Sequence, residues 1–443
     1  MTMRYMIRIF TLIFIISVIS IGNAQEEDIP AIGVMLSSDA VSDGYVLFSP
    51  SSSNIAYLID NDGSLVHQWE TETRLFNAYL LNNGDLLALT RFRNGDNFPA
   101  GGTGQVVRLS WDGEILWQYD FTLPDAQIHH DLAIMPNGHL LMLMWERIYP
   151  EQFAEYGIDP TIMPEDEPIF YDTIIQVDPE TNEIVWRWRT LDHGVQTFNP
   201  DLANFGVPAV NPNLIDLNYT HRQNRTADRT HINAIEYHPE LKQILLSAHY
   251  QSEIWIIDYE TEELVYRWGN PATYGRGLPE NRQTFNQHNP TWLDNGNILI
   301  FNNGLSNSRP YSSVIEIVPP LTDDGTYELL DGAAFAPFEP VWEYAPRDED
   351  EFFARNISGA QRLANGNTFI TDGPSGRLFE IDINDTIVWE YINPIWFEPE
   401  EPRPTSIFRA TRYLADYPAF EGHDLTPTAP IPYELNLPTA QQN

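Results

Sequence analysis

The fold is decided by the segment AYLLNNGDLLAL (residues 78–89), in which an Asn-Gly pair separates two apolar stretches. The same pattern returns in LAIMPNGHLLML (132–143), PTWLDNGNILIF (290–301) and AQRLANGNTFIT (360–371), and in degenerate form in AIEYHPELKQILLS (234–247). An Asn-Gly pair between apolar stretches predicts a β-hairpin, because both residues tolerate positive φ. The sequence therefore repeats one hairpin along most of its length.

A second hairpin pattern alternates with the first: a strand, an acidic or glycine-containing turn, and a strand with a tryptophan. Its copies end at Trp69, Trp117, Trp186, Trp268, Trp342 and Trp389. The two hairpins together make a four-stranded antiparallel unit of about 50 residues, which is the size of a propeller blade. We expect these tryptophans to pack between neighbouring blades.

The units predict an all-β fold, a six-bladed β-propeller spanning residues 30–425. Five units are complete, and the sixth is split between N-terminal strands near residues 44–70 and the segment SIFRATRYLAD (406–416). Joining the two ends closes the ring and removes exposed sheet edges. Two β-sandwiches are the alternative, which explains the regular alternation less well. Leu191–Arg229 is a long polar insertion predicted to be a functional cover, and the Pro-rich tail (426–443) is expected to be irregular.

The N-terminus has the order of a secretory signal peptide. Arg4 and Arg8 precede an apolar run, Ile9–Ile21, and small residues precede a cut after Ala24. The run is shorter than the roughly 20 residues of a membrane span. We therefore predict a signal peptide over residues 1–24 and an exported protein, periplasmic or extracellular, without membrane attachment after cleavage. An uncleaved anchor is the alternative.

Composition excludes several classes of function. The 443 residues include 24 Lys plus Arg against 63 Asp plus Glu, a formal net charge of −39, and no cysteine. Disulfide scaffolds, thiolate metal sites and cysteine nucleophiles are thereby excluded. Such an acidic field repels phosphate, so nucleic acid is not an expected partner.

The repeat register places polar residues at one mouth of the propeller. Counting seven residues back from Asn137, Asn295 and Asn365, and from His238, which takes the Asn place in the degenerate copy, gives His130, His288, Ser358 and His231. The first strand of each blade lines the central channel, so these four residues should ring one mouth, called here the upper mouth. His129, beside His130, should point to the opposite face of its strand.

The second strand of each blade returns to the upper mouth and brings further polar residues there. They are Arg91, Arg93, Glu146, Arg147, His249, Asn302, Asn303, Arg309 and Asp372. Histidine and arginine gathered inside an acidic protein indicate an anionic ligand. Three converging histidines (His130, His231 and His288) also suit a metal-dependent hydrolase or oxygenase. We predict no metal and no cofactor, because no carboxylate shares the register and Arg309 would oppose a cation.

Four segments resemble the family of bacterial arylsulfotransferases. They are DRTHINAI (228–235), ILLSAHYQSEIWIID (244–258), QHNPTWL (287–293) and FNNG (301–304) followed by Ser308-Arg309. The resemblance implies a six-bladed propeller. It also implies transfer of a sulfuryl group from a small aromatic sulfate ester to a phenolic acceptor, without a nucleotide donor.

The resemblance also implies roles for individual residues. His231 and His288 match active-site histidines of the family, and Arg309 matches its sulfate-binding arginine. His231 is expected as the nucleophile or a sulfate ligand, and His288 as the general acid or a charge stabiliser. Substrate-binding residues expected from the register are His130, His249, Asn302 and Ser358.

One departure from the family leaves a second function open. The family's nucleophilic histidine lies in the last complete blade, where this chain reads TDGPSGR (371–377) without histidine. The alternative function is a non-catalytic propeller that binds a sulfated or carboxylated ligand.

Overall fold

The predicted hairpin pairs form six four-stranded antiparallel sheets, the blades of a β-propeller. The computed structural model describes residues 31–91, 98–121, 123–220, 227–346, 352–397 and 403–436. The predicted signal peptide and Arg93 lie outside these ranges. The six-bladed all-β prediction is confirmed.

Each blade has four strands, which follow one another from the channel outward. Blade 1 contains Ile407–Leu414, Gly44–Pro50, Ile55–Ile59 and Leu65–Glu70. Blade 2 contains Leu75–Leu80, Leu86–Thr90, Gln105–Leu109 and Ile115–Asp120. Blade 3 contains Ala126–Ile134, Leu140–Ile148, Ile169–Asp178 and Glu183–Arg189.

The other three blades follow the same order. Blade 4 contains Ile232–His238, Gln243–Ala248, Glu253–Asp258 and Leu264–Trp268. Blade 5 contains His288–Trp292, Ile298–Asn302, Ser313–Ile317 and Trp342–Tyr344. Blade 6 contains Gly359–Arg362, Thr368–Asp372, Arg377–Ile381 and Ile387–Ile392.

Strands from both ends of the described chain close the ring. Ile407–Leu414 pairs with Gly44–Pro50, with Phe48 opposite Ala410, and so supplies the innermost strand of blade 1 as predicted. Gly33–Ser37 pairs with Ile387–Ile392 as a fifth, outer strand of blade 6. This strand was not predicted, because it belongs to no repeat. It covers an edge that would otherwise be exposed.

The Asn-Gly turns lie at the opposite end of the channel, the lower mouth. Gly84, Gly138, Gly296 and Gly366 have positive φ, whereas the asparagines before them do not. Each asparagine side chain instead accepts the backbone N–H two residues on, as in Asn137 to His139 (3.1 Å). The hairpins are therefore present, but only the glycine needs the left-handed conformation.

The tryptophans connect each blade to the next, as expected. The indole N–H of Trp69 donates to Ser110 O of blade 2 at 3.2 Å. The indole of Trp389 donates from blade 6 to Asn61 O of blade 1 at 2.9 Å. In blade 3 Trp188 rather than Trp186 makes the bond, to Glu262 O of blade 4 (2.9 Å). Buried apolar rings with a satisfied N–H hold the blades in register.

Short elements connect and cover the blades. The α-helix is Phe153–Tyr156, and the 3₁₀ turns are Pro150–Gln152, Pro160–Ile162, Thr190–His193, Pro208–Val210, Pro271–Tyr274, Pro279–Asn281 and Pro418–Phe420. The remaining strands are Gly194–Val195, Ile215–Asp216, Ile395–Phe397, Arg403–Pro404 and Glu434–Asn436. The last of these pairs in parallel with Ile395–Phe397, so the described part of the Pro-rich tail packs on the propeller. In the described ranges no helix has the length and apolarity to cross a bilayer.

Candidate active site

The innermost strands are bulged where they approach the upper mouth. Pairing with the second strand shifts between Leu75 and Asn77 in blade 2, and at equivalent places in blades 3, 4 and 5. His130 (φ 52°) lies at the bulge of blade 3, and His231 (φ 49°) directly precedes the innermost strand of blade 4; both take the left-handed conformation. This conformation is uncommon for residues other than glycine, and such strain concentrates at functional sites. A bulge turns a side chain out of the regular alternation of its strand.

Four imidazoles form a continuous layer at the upper mouth, called here the histidine layer: His130, His231, His249 and His288. Neighbouring ring centroids are 4.7 Å (His130 to His231), 5.1 Å (His231 to His249) and 5.0 Å (His249 to His288) apart. His130, His249 and His288 are buried. The structure thus brings together the three histidines of the repeat register and His249.

A carboxylate of the preceding loop holds His231. The Nδ1–H of His231 donates to Asp228 Oδ2. Burial raises the pKa of Asp228, and the adjacent imidazole of His231 opposes that shift. Because the carboxylate takes the Nδ1–H, the second ring nitrogen, Nε2, carries the lone pair. This is the arrangement that turns a histidine into a base or nucleophile.

A second carboxylate reaches His130 through His129. Asp172 Oδ1 lies 3.0 Å from His129 Nε2, and Thr230 Oγ1 donates to the other oxygen of Asp172. His129 Nδ1 lies 2.9 Å from His130 Nδ1. With its proton on Nε2, facing the carboxylate of Asp172, His129 has a lone pair on Nδ1. This Nδ1 accepts the Nδ1–H of His130. The lone pair of His130 then lies on its Nε2.

The expectation that His129 points away from His130 is therefore wrong. The left-handed conformation at His130 breaks the alternation of the strand, so the two rings meet at 86° with centroids 5.1 Å apart. His129 is fully buried and stacks on Trp145 at 3.9 Å between ring centroids.

His288 has hydrogen-bond partners on both ring nitrogens. Nδ1 donates to Asn303 Oδ1 at 2.8 Å, and Nε2 accepts the backbone N–H of Ile357 at 3.1 Å. Burial lowers the pKa of His288 to about 3, so the ring is neutral at pH 7. Ser358 follows Ile357 in the chain, and its Oγ accepts the N–H of Gly373 (3.0 Å).

Burial also lowers the pKa of His130 well below its usual value, with the neighbouring His231 as the next cause. His130 and His288 are therefore both neutral at pH 7, and the histidine layer carries less positive charge than its composition suggests.

Asn302 and Arg309 make hydrogen bonds within blade 5 and the loops beside it. Asn302 Oδ1 accepts the N–H of Phe285 (2.7 Å), and Nδ2 donates to Gln283 O (3.0 Å). Arg309 donates from Nη1 to Tyr311 O and from Nη2 to Ser313 Oγ, both at 2.7 Å. Of the two asparagines in the FNNG segment, it is Asn303 that contacts a histidine.

The family comparison decides what kind of protein this is. The model of the family described as Arylsulfotransferase (ASST) matches residues 34–388. The chain belongs to the arylsulfotransferase family. It is an enzyme of this kind, and membership supports an aryl sulfate donor and a phenolic acceptor in general.

Other comparisons add no argument about activity. A search of the curated proteins finds no match. A protein of unknown function from Bacteroides caccae is 13% identical over 84% of this chain and 99% of its own, with a TM-score of 0.47. Virginiamycin B lyase from Staphylococcus aureus is 12% identical over 83% and 85% (TM-score 0.41). The Cps50 (Swd1) β-propeller domain from Myceliophteria thermophila is 11% identical over 81% and 89% (TM-score 0.39).

In this arylsulfotransferase, other polar residues predicted at the upper mouth have structural partners. Arg189 Nη2 lies 2.6 Å from Glu146 Oε1. Arg147 packs over the ring of Phe98, 4.4 Å from its centroid. In the last complete blade, Asp372 is buried where the family's histidine was expected, and burial raises its pKa.

Sequence reasoning missed the two carboxylates behind the layer. Asp228 stands three residues before His231 in DRTH, a spacing that signals such a pair. Asp172 comes from the third strand of blade 3, 43 residues from His129 along the chain, and had no local signal. Among the described residues, no group of three or more His, Asp or Glu side chains could hold a metal ion.

Proposed function

We propose that this arylsulfotransferase moves a sulfuryl group from an aryl sulfate to a phenol through His231, without a nucleotide donor. The observation that carries the proposal is the Asp228–His231 pair inside the histidine layer. A buried carboxylate on Nδ1 orients the imidazole and stabilises the positive charge that it gains when Nε2 attacks.

Aromatic side chains beside the layer suit an aryl substrate. The rings of Phe76 and Phe408 lie 5.7 and 6.0 Å from that of His130, and the ring of Tyr250 lies 4.7 Å from that of His231, between centroids. Flat apolar faces next to polar nitrogens bind a ring and orient its ester bond.

In the first half-reaction, Nε2 of His231 attacks the sulfur, an N–S bond forms and the S–O bond to the aryl ring breaks. The bound sulfate anion raises the pKa of nearby His130, so His130 takes up a proton from water as the donor binds and passes it to the departing phenolate. In the second half, the acceptor oxygen attacks sulfur, the N–S bond breaks and neutral His130 Nε2 takes the phenol proton. His130 returns this proton to water when the sulfated product leaves, so the ring is neutral again and the cycle neither gains nor loses a proton.

His288 has a positioning role in this scheme. Its Nε2 is bonded to Ile357 N–H, and its Nδ1–H is directed to Asn303. It therefore ties the chain of blade 6 to that of blade 5 beside His249. The scheme needs no histidine in the last complete blade, because the nucleophile lies in the loop that enters blade 4.

Turnover without nucleotide tests the proposal. The purified protein is given p-nitrophenyl sulfate with and without phenol, and both p-nitrophenol and phenyl sulfate are measured. Phenol-dependent release of p-nitrophenol with matching phenyl sulfate supports the proposal. Binding of the ester without turnover, across several donors and acceptors, would favour the non-catalytic alternative and overturn it.

A further inference from the structure

A cavity of about 460 Å³ occupies the central channel on the side of the lower mouth. The innermost strands of all six blades contribute to its wall, and none of the described residues that line it is a histidine of the layer. Ile134, Tyr237 and Trp292 lie at its lower end, nearest the hairpin turns, and all three are partly exposed. The cavity is therefore separate from the candidate active site and opens at the lower mouth.

The two arginines of the cavity wall are neutralised by carboxylates. Arg409 Nη1 lies 3.0 Å from Asp131 Oδ2, and Nε and Nη2 of the same guanidinium are sealed from solvent. Arg362 Nη2 lies 2.9 Å from Glu316 Oε2. Neither arginine therefore offers a free positive charge to a ligand in the cavity.

Glu236 is the remaining charged group among the described residues of the wall. Its Oε2 accepts the backbone N–H of Trp292 at 2.8 Å, which fixes the carboxylate between blades 4 and 5. The other oxygen, Oε1, makes no hydrogen bond to a described residue and, unlike the two nitrogens of Arg409, is not sealed from solvent. A carboxylate oxygen in such a wall is costly unless something in the cavity donates to it.

The wall around Glu236 is largely apolar and aromatic, with Tyr237, Pro290, Trp292 and Leu293 among its residues. Aromatic rings beside a carboxylate attract an organic cation, through cation–π contacts and a charge-assisted hydrogen bond. We infer that this cavity binds a small organic ammonium ion, a primary amine carrying one aromatic ring, whose –NH₃⁺ group donates to Oε1 of Glu236. The volume of the cavity suits a ligand of this size. Such a site goes beyond sulfuryl transfer and does not require it.

The affinity of the site should depend on pH, because burial raises the pKa of Glu236 to about 7. The titratable and charged groups that share the cavity with it are Tyr79, Asp131, Tyr237, Arg362 and Arg409. An ammonium ion binds the ionised carboxylate, so the amine should bind more tightly as pH rises through about 7. The gain from pH 6 to pH 8 should be about ten-fold.

Calorimetry with phenethylamine as the probe, at about pH 8, tests the site. Phenethyl alcohol, which has the same ring and no charge, is the matched control ligand. Glu240→Gln is the control variant, because it removes an exposed carboxylate that lies near the lower mouth but outside this cavity. We expect Glu236→Gln to weaken amine binding by at least about ten-fold, Glu240→Gln to leave it unchanged, and the alcohol to bind the wild type at least about ten-fold more weakly than the amine.

Three results would overturn the site: no amine binding by the wild type, amine binding no tighter than alcohol binding, or equal amine affinity in the wild type and Glu236→Gln. Circular dichroism checks that the variant folds. The pH series uses the wild type alone and needs no variant, and an amine affinity that is the same at pH 6 and pH 8 would also overturn the site. Because phenethylamine has no phenolic hydroxyl and binding is the readout, these results are independent of sulfuryl transfer.

Discussion

Blades 4 and 5 each present a histidine at the same repeat position, yet their surroundings give the two rings different chemistry. In blade 4, Nδ1 of His231 faces the carboxylate of Asp228. In blade 5, His288 bonds a neutral amide of Asn303 and a backbone N–H of Ile357. The position in the repeat therefore brings a histidine to the upper mouth. Its hydrogen-bond partner then determines whether the ring reacts with the substrate or positions neighbouring residues.

Replacing His231 tests this contrast with the largest expected effect. His231→Ala should lower kcat/KM by at least about 10⁴-fold, because it removes the nucleophile. His139→Ala is the matched control, a histidine of the lower mouth bonded to Gln176, and should keep full activity. Near-normal transfer by His231→Ala would show that His231 is not the nucleophile.

Replacing Asp228 asks whether the carboxylate makes the difference. Asp228→Asn should lower kcat by about 10²- to 10⁴-fold with little change in KM, because the tautomer and charge of His231 are no longer set. Asp192→Asn removes a surface carboxylate paired with Arg189 and serves as control. A rise in KM with kcat unchanged would show that Asp228 acts in substrate binding.

His288 should be the less sensitive of the two histidines. His288→Gln is expected to lower kcat/KM by about 10- to 100-fold, because it loosens the contact to Ile357 without removing a reacting atom. A loss equal to that of His231→Ala, measured in the same assay, would show that the blades do not differ as described.

Glu236 gives the channel a pH dependence. Burial raises the pKa of Glu236 to about 7, and it shares the cavity with Asp131, Tyr79, Arg362 and Arg409. As pH rises through about 7, Glu236 gains a negative charge, which opposes the negative charge of a sulfate ester bound at the histidine layer. The donor KM should then rise about three- to ten-fold. Glu236→Gln should flatten this rise, and an unchanged profile in that variant would exclude Glu236 as its source.

The buried histidines also make stability depend on pH. His130 and His288 have lowered pKa values in the fold, so the unfolded chain binds more protons between its ordinary pKa near 6.5 and the folded one. Above pH about 6.5 both rings are neutral in the folded and the unfolded chain, and they take nothing from the free energy of unfolding. As the pH falls below about 6.5 the free energy of unfolding decreases, for His288 down to a pH of about 3. The slope is about 1.4 kcal/mol per pH unit for each such group. Urea unfolding of wild type and His288→Gln from pH 7 to 5 checks this, and parallel curves would contradict it.

Much of the fold could be predicted, because a repeated hairpin pattern shows which distant segments of the sequence form equivalent blades. The Asn-Gly turns and tryptophans marked the blades, and one register brought His130, His231 and His288 together. Gly33–Ser37 belongs to no repeat and could not be placed. The partners that assign chemistry were harder, since Asp172 reaches His129 from the third strand of blade 3, 43 residues along the chain, and no local spacing connects the two.

Mass spectrometry of the protein after exposure to p-nitrophenyl sulfate, without acceptor, shows whether His231 carries the sulfuryl group. We expect one SO₃ group on His231, absent in His231→Ala and lost when phenol is added. A sulfuryl group on His130, on His288 or on another residue, or transfer without any adduct in rapidly quenched samples, would contradict it.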